Sequence, residues 1–369
     1  MTCAATPVEP DELSRVWSGY ARKVYGSYSP LNSALAEAVS KSSVTLAFLR
    51  RQPPHAHDPN MLLAAIQYLV LGGADHPIAA LYEPDAKAVD GTSLVDLVES
   101  FCSENDGELA HILATRRIQT NEVGRSGGLA LGLACAAKLV GEPVGLVDAG
   151  TSAGLNLLMD RYLLRFGPDS QIGPGTSPVQ VACRVDPPDL PLPSRLPSIS
   201  ARVGLDRAPV DLTDASNVRW LLACIWPGTG RQERAAAAMR LASEHPPPLV
   251  EGDMVTELGR VIESVRPGPV VVMTSWSFSY LQDDERRAFE RELAAAAGGG
   301  PVVWVCCDSP GASDLFQPSE PPLDDGDIPS VFGLAVFEGG EVRSHCLGYM
   351  HSHGAWVRWL DRSLTPGLF

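Results

Sequence analysis

From Val144 onward, short apolar runs alternate with longer helical stretches, and this alternation constrains the fold more than any other feature of the chain. Continuous apolar strands bury both their faces, so a series of them separated by helices reads as a mostly parallel sheet covered on two sides. The runs are Val144–Ala149, Ile199–Leu205, Leu249–Val250, Pro269–Trp276 and Pro301–Cys307. Helical candidates fall between them at Leu155–Tyr162, Asn217–Ile225, Gln232–Glu244, Met254–Val265 and Asp284–Ala297. Val331–Phe337 and Glu341–Leu347 flank Glu338-Gly339-Gly340, which predicts a terminal antiparallel hairpin.

The first 140 residues carry almost no strand signal. In Asp58–Gly73, Asp58 is placed to cap a helix, Pro59 suits its first turn, and Gly72 or Gly73 supplies a left-handed stop. Met61–Leu71 is apolar nearly all round, which predicts a helix inside a bundle. A second helix is predicted over Gly127–Val140. The expected organisation is therefore a helical region over 1–140 and a Rossmann-like α/β domain over 141–369. Proline-rich Gly167–Ser200 is read as an inserted hairpin and loop, with Val179, Val181, Cys183 and Val185 as its one alternating run.

Length and charge narrow the functional classes. A chain of 369 residues can bury a large core, and 45% apolar with 20% charged residues is the composition of a folded protein. A net charge of −15 without clustered Lys or Arg argues against nucleic acid and favours a small-molecule ligand. Met61–Leu71 is too short to span a bilayer, and the N-terminus lacks a basic segment followed by an apolar one, so no membrane role and a cytoplasmic location are expected. The eight cysteines form no CxxC pair, so reduced core thiols are expected rather than a metal cluster. Composition says nothing of oligomeric state.

The densest chemical signal is Val144-Gly-Leu-Val-Asp148-Ala-Gly150-Thr-Ser152-Ala-Gly154, an apolar strand running through a glycine turn into a helix. Asp-x-Gly-x-x-x-Gly resembles the first motif of S-adenosylmethionine-dependent methyltransferases, except that Ser152 stands where those enzymes usually have glycine. The resemblance implies that Asp148, Gly150, Ser152 and Gly154 shape a turn beneath the cofactor. It also implies that Asp206, ending Ala201–Asp206, holds the ribose, and that Asp253 with Met254 lies beside the adenine. The ribose acid normally follows the turn by about 20 residues, a spacing that leaves Tyr162–Phe166 with Asp169 as an alternative second strand.

The same residues also spell Gly150-Thr-Ser152-Ala-Gly154, the G-x-S-x-G elbow of α/β-hydrolases, with Asp308 and then His345, His351 or His353 in triad order. A hydrolase, however, needs sheet strands ahead of its elbow, where this chain has helices. A Rossmann-like binding module without chemistry is the third reading.

Further candidates are polar residues in apolar company. In Gln119-Thr-Asn121-Glu122-Val-Gly-Arg125, Gln119, Asn121 and Arg125 are candidate substrate ligands and Glu122 a candidate catalytic group. Asn156, Trp276 and Tyr280 are candidate substrate contacts beside the glycine turn and the fourth strand. His351 and His353 are candidate bases, and with no third ligand in view no metal is expected.

As a whole the chain resembles an uncharacterised bacterial family, domain of unknown function 2332. The resemblance rests on Leu62–Gly72, Gln119–Arg125, Asp148–Leu158, Arg202–Asp206, Trp226-Pro227, Glu251–Asp253 and His353-Gly354. It covers nearly the full length and implies no activity, so function must be argued from the site.

Overall fold

The computed structural model describes residues 12–26, 28–83, 86, 91–322 and 329–367. Six helices come first: α1 (Glu12–Tyr20), α2 (Pro30–Lys41), α3 (Ser43–Arg50), α4 (Pro59–Leu71), α5 (Gly91–Glu104) and α6 (Asp106–Thr115). Later come α7 (Ser126–Val140), α8 (Ala215–Ala223), α9 (Arg231–Glu244), α10 (Leu258–Ser264) and α11 (Asp283–Ala296). The strands are β1 (Val144–Ala149), β2 (Leu163–Arg165), β3 (Gln171–Ile172), β4 (Gln180–Ala182), β5 (Arg184–Asp186) and β6 (Ile199–Asp206). They continue with β7 (Leu249–Glu251), β8 (Val270–Ser275), β9 (Val302–Asp308), β10 (Pro329–Glu338), β11 (Glu341–His351) and β12 (Trp356–Trp359).

The chain forms two compact units: residues through Thr120 with Asp214–Glu233, and Asn121–Thr213 with Arg234–Phe369. In the first, α4 starts as its sequence dictates. The Asp58 carboxylate accepts from the Asn60 N–H at 2.9 Å, Pro59 occupies the first turn, and Gly73 provides the left-handed residue at φ +86°. Met61 to Ile66 are buried in a core shared with Leu35, Leu49 and Phe101. Trp220, Ala223 and Cys224 belong to that same core, which is why 214–233 joins the helical unit.

The second unit is built on a nine-stranded sheet in the order β5-β12-β11-β10-β9-β8-β1-β6-β7. Strands β7, β6, β1, β8 and β9 run parallel, with Val147 in register between Val203 and Val272. β10 and β11 then form the antiparallel pair, turning at Gly339 and Gly340, both at positive φ. The expected Rossmann-like α/β fold with a helical N-terminal region is therefore present.

Helices cover both faces. Val147, Val203, Val272 and Trp304 pack with Val261 and Ile262 of α10 and Phe289 and Leu293 of α11. On the other face lies α7, whose glycines admit the sheet: a Cβ on Gly132 would stand 2.6 Å from Val305 and 3.0 Å from the Phe332 ring. That packing places α7 with the sheet, so the division falls at residue 120 and not near 140. Val123–Val140 is long and apolar enough to cross a bilayer by composition, more so than Met61–Leu71, but 83% of it is buried inside the protein.

Three local points were open in the sequence, and the structure revises two of them. The alternating run Val179–Val185 splits at Cys183: β4 joins β2 and β3 in a small sheet, while β5 pairs with β12 on the edge of the large one. Leu163–Arg165 thus lies in the small sheet and Asp169 is exposed, so β6 is the strand beside β1 and Asp206 the acid at its end. Finally, α10 begins at Leu258 rather than Met254, because the Asp253 carboxylate accepts from the Val255 and Thr256 N–H groups and closes a turn there.

Candidate functional site

Across the sheet, β7-β6-β1-β8-β9 are the third, second, first, fourth and fifth strands of the parallel set, so the direction of winding reverses between β1 and β8. Ligands of open α/β sheets bind outside the carboxyl ends of the strands at such a reversal. Those ends carry Asp148 on β1, Asp206 on β6, Ser275 and Trp276 at β8, and Asp308 on β9.

The turn after β1 is bound tightly by its own chain. Gly150 and Thr151 N–H both donate to the Leu205 carbonyl, Ser152 N–H to Asp206 Oδ2 at 2.7 Å, Gly154 N–H to Thr151 O, and Leu155 N–H to Asn121 Oδ1 at 2.9 Å. Gly150 has φ +85°, and a Cβ there would strike the Ser277 side chain, whose Oγ would be 2.7 Å away. At Gly154, φ +73°, a Cβ would lie 2.7 Å from Pro247 and 2.9 Å from Leu249. Both glycines thus serve close packing of the protein against itself. Ser152 is held at φ +54°, and its buried Oγ has no hydrogen-bond partner.

Asp148 lies beneath this turn, accepting from the Thr151 hydroxyl at 2.8 Å. Burial pushes its carboxyl up to about 7, helped by the charge of Asp206 and opposed by the Thr151 hydrogen bond and by Arg125. Asp308 is also buried and raised, chiefly by desolvation, and accepts from Ser279 N–H and Oγ at 3.0 and 2.9 Å.

A second cluster lies across β8. Arg125 donates from Nε to the Ser352 carbonyl at 2.6 Å and from Nη1 to the Ser275 carbonyl at 3.0 Å, with its guanidinium 5.9 Å from the Trp276 ring. Trp276 is itself left-handed at φ +57° and donates Nε1–H to Ser330 Oγ at 2.7 Å. Among the described residues, the two non-glycine residues at positive φ are Ser152 and Trp276, at the ends of neighbouring strands. Glu122, 5% exposed, accepts from Gly124 N–H at 2.8 Å and Arg234 Nη2 at 3.1 Å. Gly354 at φ +78° abuts the Gly124 carbonyl, nesting the 351–354 turn against 122–125 and bringing His351 and His353 alongside Arg125. His351 is buried and its Nδ1 accepts from the His353 N–H at 2.9 Å; the two rings are 5.5 Å apart. Buried Asn156 accepts from Ser126 Oγ at 2.8 Å, linking α7 to the glycine turn.

At the end of β7, where Gly252 N–H donates to the Asp206 carbonyl at 2.8 Å, Asp253 is paired with Arg207 at 2.8 Å, and Met254 is buried in the core under α10. Tyr280 is 78% exposed, and Gln119 belongs to the helical unit. Of the possible triad members, Asp308 binds Ser279 and His345 binds Asp361 at 2.9 Å. Among the described residues no group of three His, Cys, Asp or Glu is placed to hold a metal ion.

A family model for uncharacterized proteins conserved in bacteria, domain of unknown function 2332, matches residues 16–359. The chain belongs to this family. No curated protein matches it. The matched span takes in most of both units and every residue of the site.

Three site residues in this family member lie outside the candidates taken from the sequence. Thr151 holds the Asp148 carboxylate, Ser277 fills the space at Gly150 with its Oγ on the Ala149 carbonyl at 2.6 Å, and Arg234 pairs with Glu122. Thr151 was open to notice as a hydroxyl three residues past a strand-end acid. Ser277 and Arg234 reach their partners across more than a hundred residues of chain.

Proposed function

We propose that the protein is an S-adenosylmethionine-using enzyme of methyltransferase type that acts on a small polar molecule. The observation that carries the reading is Asp206. It ends the strand beside β1, and its carboxylate is held by the glycine turn through Ser152 N–H and by Ala208 N–H at 2.9 Å, one donor to each oxygen. Each oxygen keeps a further acceptor site, the arrangement that a pair of ribose hydroxyls requires. The turn's N–H groups are spent on Leu205, Asp206, Thr151 and Asn121, so little is left to cradle a phosphate. A nucleoside without phosphates suits such a turn better than a dinucleotide does. Asp253 and Met254 take no part in this reading, because Arg207 and the core hold them.

The bound cofactor would supply an activated methyl group, and the protein's contribution is positioning and proton handling. Asp206 and the turn orient the nucleoside. Arg125 and Trp276 brace the end of β8, where the acceptor enters. Glu122, His351 and the half-buried His353 are the candidate bases for the acceptor's proton.

Calorimetric titration with S-adenosylmethionine and S-adenosylhomocysteine tests the proposal, with Asp206→Asn as the control that weakens binding. Absence of heat from both ligands with the wild-type chain overturns it. Heat without turnover on any acceptor marks a binding module.

One observation favours the hydrolase reading: Ser152 is left-handed on a sharp turn after a central strand, with an unpartnered hydroxyl. Against it, that hydroxyl is buried and meets no histidine, and no strand precedes β1 among the described residues. Labelling of Ser152 by a fluorophosphonate would establish the hydrolase.

A further inference from the structure

Within the helical unit, a cavity of about 650 Å³ opens between the C-terminal end of α4, one face of α6 and the first turn of α8. Its polar lining is unusual for a chain of net charge −15, because it holds two guanidinium groups. Arg116 and Arg219 both stack on the ring of Tyr68, with their Cζ atoms 5.9 and 4.2 Å from its centre. Two like charges on one ring repel, and cation–π attraction offsets only part of that.

Among the described residues, neither guanidinium has a carboxylate partner. Arg116 donates to Asn217 Oδ1 at 2.9 Å and Ser216 Oγ at 2.6 Å, and Arg219 donates to the Tyr68 hydroxyl at 3.0 Å; all these acceptors are uncharged. Glu108 brings a carboxylate to the lining, and among the described residues no ion pair joins it to either arginine. The groups are also held in place. Gly72 lacks a side chain where Arg219 Nη1 sits, and Tyr68 OH is linked to Ser216 Oγ at 2.9 Å, which locks ring, hydroxyls and guanidiniums into one arrangement. His111, Asn105 and Thr115 complete the polar wall.

Two fixed, half-buried guanidiniums with no carboxylate partner among the described residues repel one another, and an anion that accepts from both offsets that cost. We propose that this cavity binds a small oxyanion, a phosphate ester or a polycarboxylate, between Arg116 and Arg219. The inference does not depend on the reading of the sheet unit.

The test is thermal unfolding of the full chain at low ionic strength, titrated separately with inorganic phosphate and with citrate, against sodium chloride of matched ionic strength. A saturable rise in Tm beyond that of chloride is expected. Arg116→Gln and Arg219→Gln should each weaken the apparent affinity about tenfold, and the surface variant Arg343→Gln should not. Should either variant fold poorly, the wild-type chain decides: the effective anion should slow modification of Arg116 and Arg219 by phenylglyoxal, mapped by peptide mass spectrometry. Saturation with phosphate alone identifies a phosphorylated ligand, and with citrate alone a carboxylate. Shifts that only follow chloride, or no protection of either arginine, overturn the proposal.

Discussion

Ser152 donates its backbone N–H to Asp206 Oδ2 at 2.7 Å, and this bond ties the turn leaving β1 to the end of β6. It holds Ser152 at φ +54° with its hydroxyl buried and unpartnered. Ser152→Gly relieves both costs against the extra flexibility of glycine when unfolded. The variant should gain about 1 kcal/mol in urea unfolding. It should also keep the calorimetric response to S-adenosylhomocysteine. A loss of stability would mean that the serine side chain makes a favourable contact.

Asp148 predicts a pH dependence. Its carboxyl rises from an ordinary 3.8 to about 7 in the folded state, mainly through burial. The folded protein therefore holds this proton where the unfolded chain has lost it. The group's stabilising contribution is complete below about pH 4, shrinks as pH rises, and is gone above about pH 7. Asp148→Asn abolishes the titration, so the variant should gain on wild type with rising pH, by up to about 4 kcal/mol between pH 4 and pH 8. Urea midpoints at pH 5, 6, 7 and 8 measure this. A difference constant with pH would contradict it.

Gly354 lies at φ +78° against the Gly124 carbonyl, with Arg125 N 2.5 Å from where a Cβ would stand. Backbone cannot yield as a side chain does. Gly354→Ala should cost about 3 kcal/mol and release the 122–125 turn, lowering both Tm and ligand affinity. Gly339→Ala, at positive φ in the β10–β11 turn with open space around it, should cost only about 1 kcal/mol.

Half-buried Arg234 pairs with Glu122 at 3.1 Å, and the Glu122 side chain is 3% exposed. Arg234→Leu removes a charge partner from the buried carboxylate and should cost about 3 kcal/mol. Adding Glu122→Gln removes the carboxylate's charge, so the double variant should unfold at higher urea than Arg234→Leu alone. Additive losses would show that the two residues do not act as a pair.

The order of strands was legible because each reports itself locally, in an apolar run and the residues that end it. Val144–Ala149, Ile199–Asp206 and Leu249–Glu251 needed no knowledge of their neighbours to be found. The hairpin was equally visible in Glu338-Gly339-Gly340. The run Val179–Val185 was visible as extended chain, but nothing local shows that it changes sheets at Cys183.

By itself, the sequence determined the helical beginning, the Rossmann-like sheet and the glycine turn, since all three follow from backbone preference and apolar periodicity over neighbouring residues. The tertiary structure decided what the polar groups do. It gave Asp253 to Arg207, Gly150 to Ser277 and Glu122 to Arg234, drew 214–233 into the helical unit, and set Arg116 and Arg219 on one tyrosine. A charge or hydroxyl has no periodicity to betray its partner, and most of these partners lie 46 to 128 residues away along the chain.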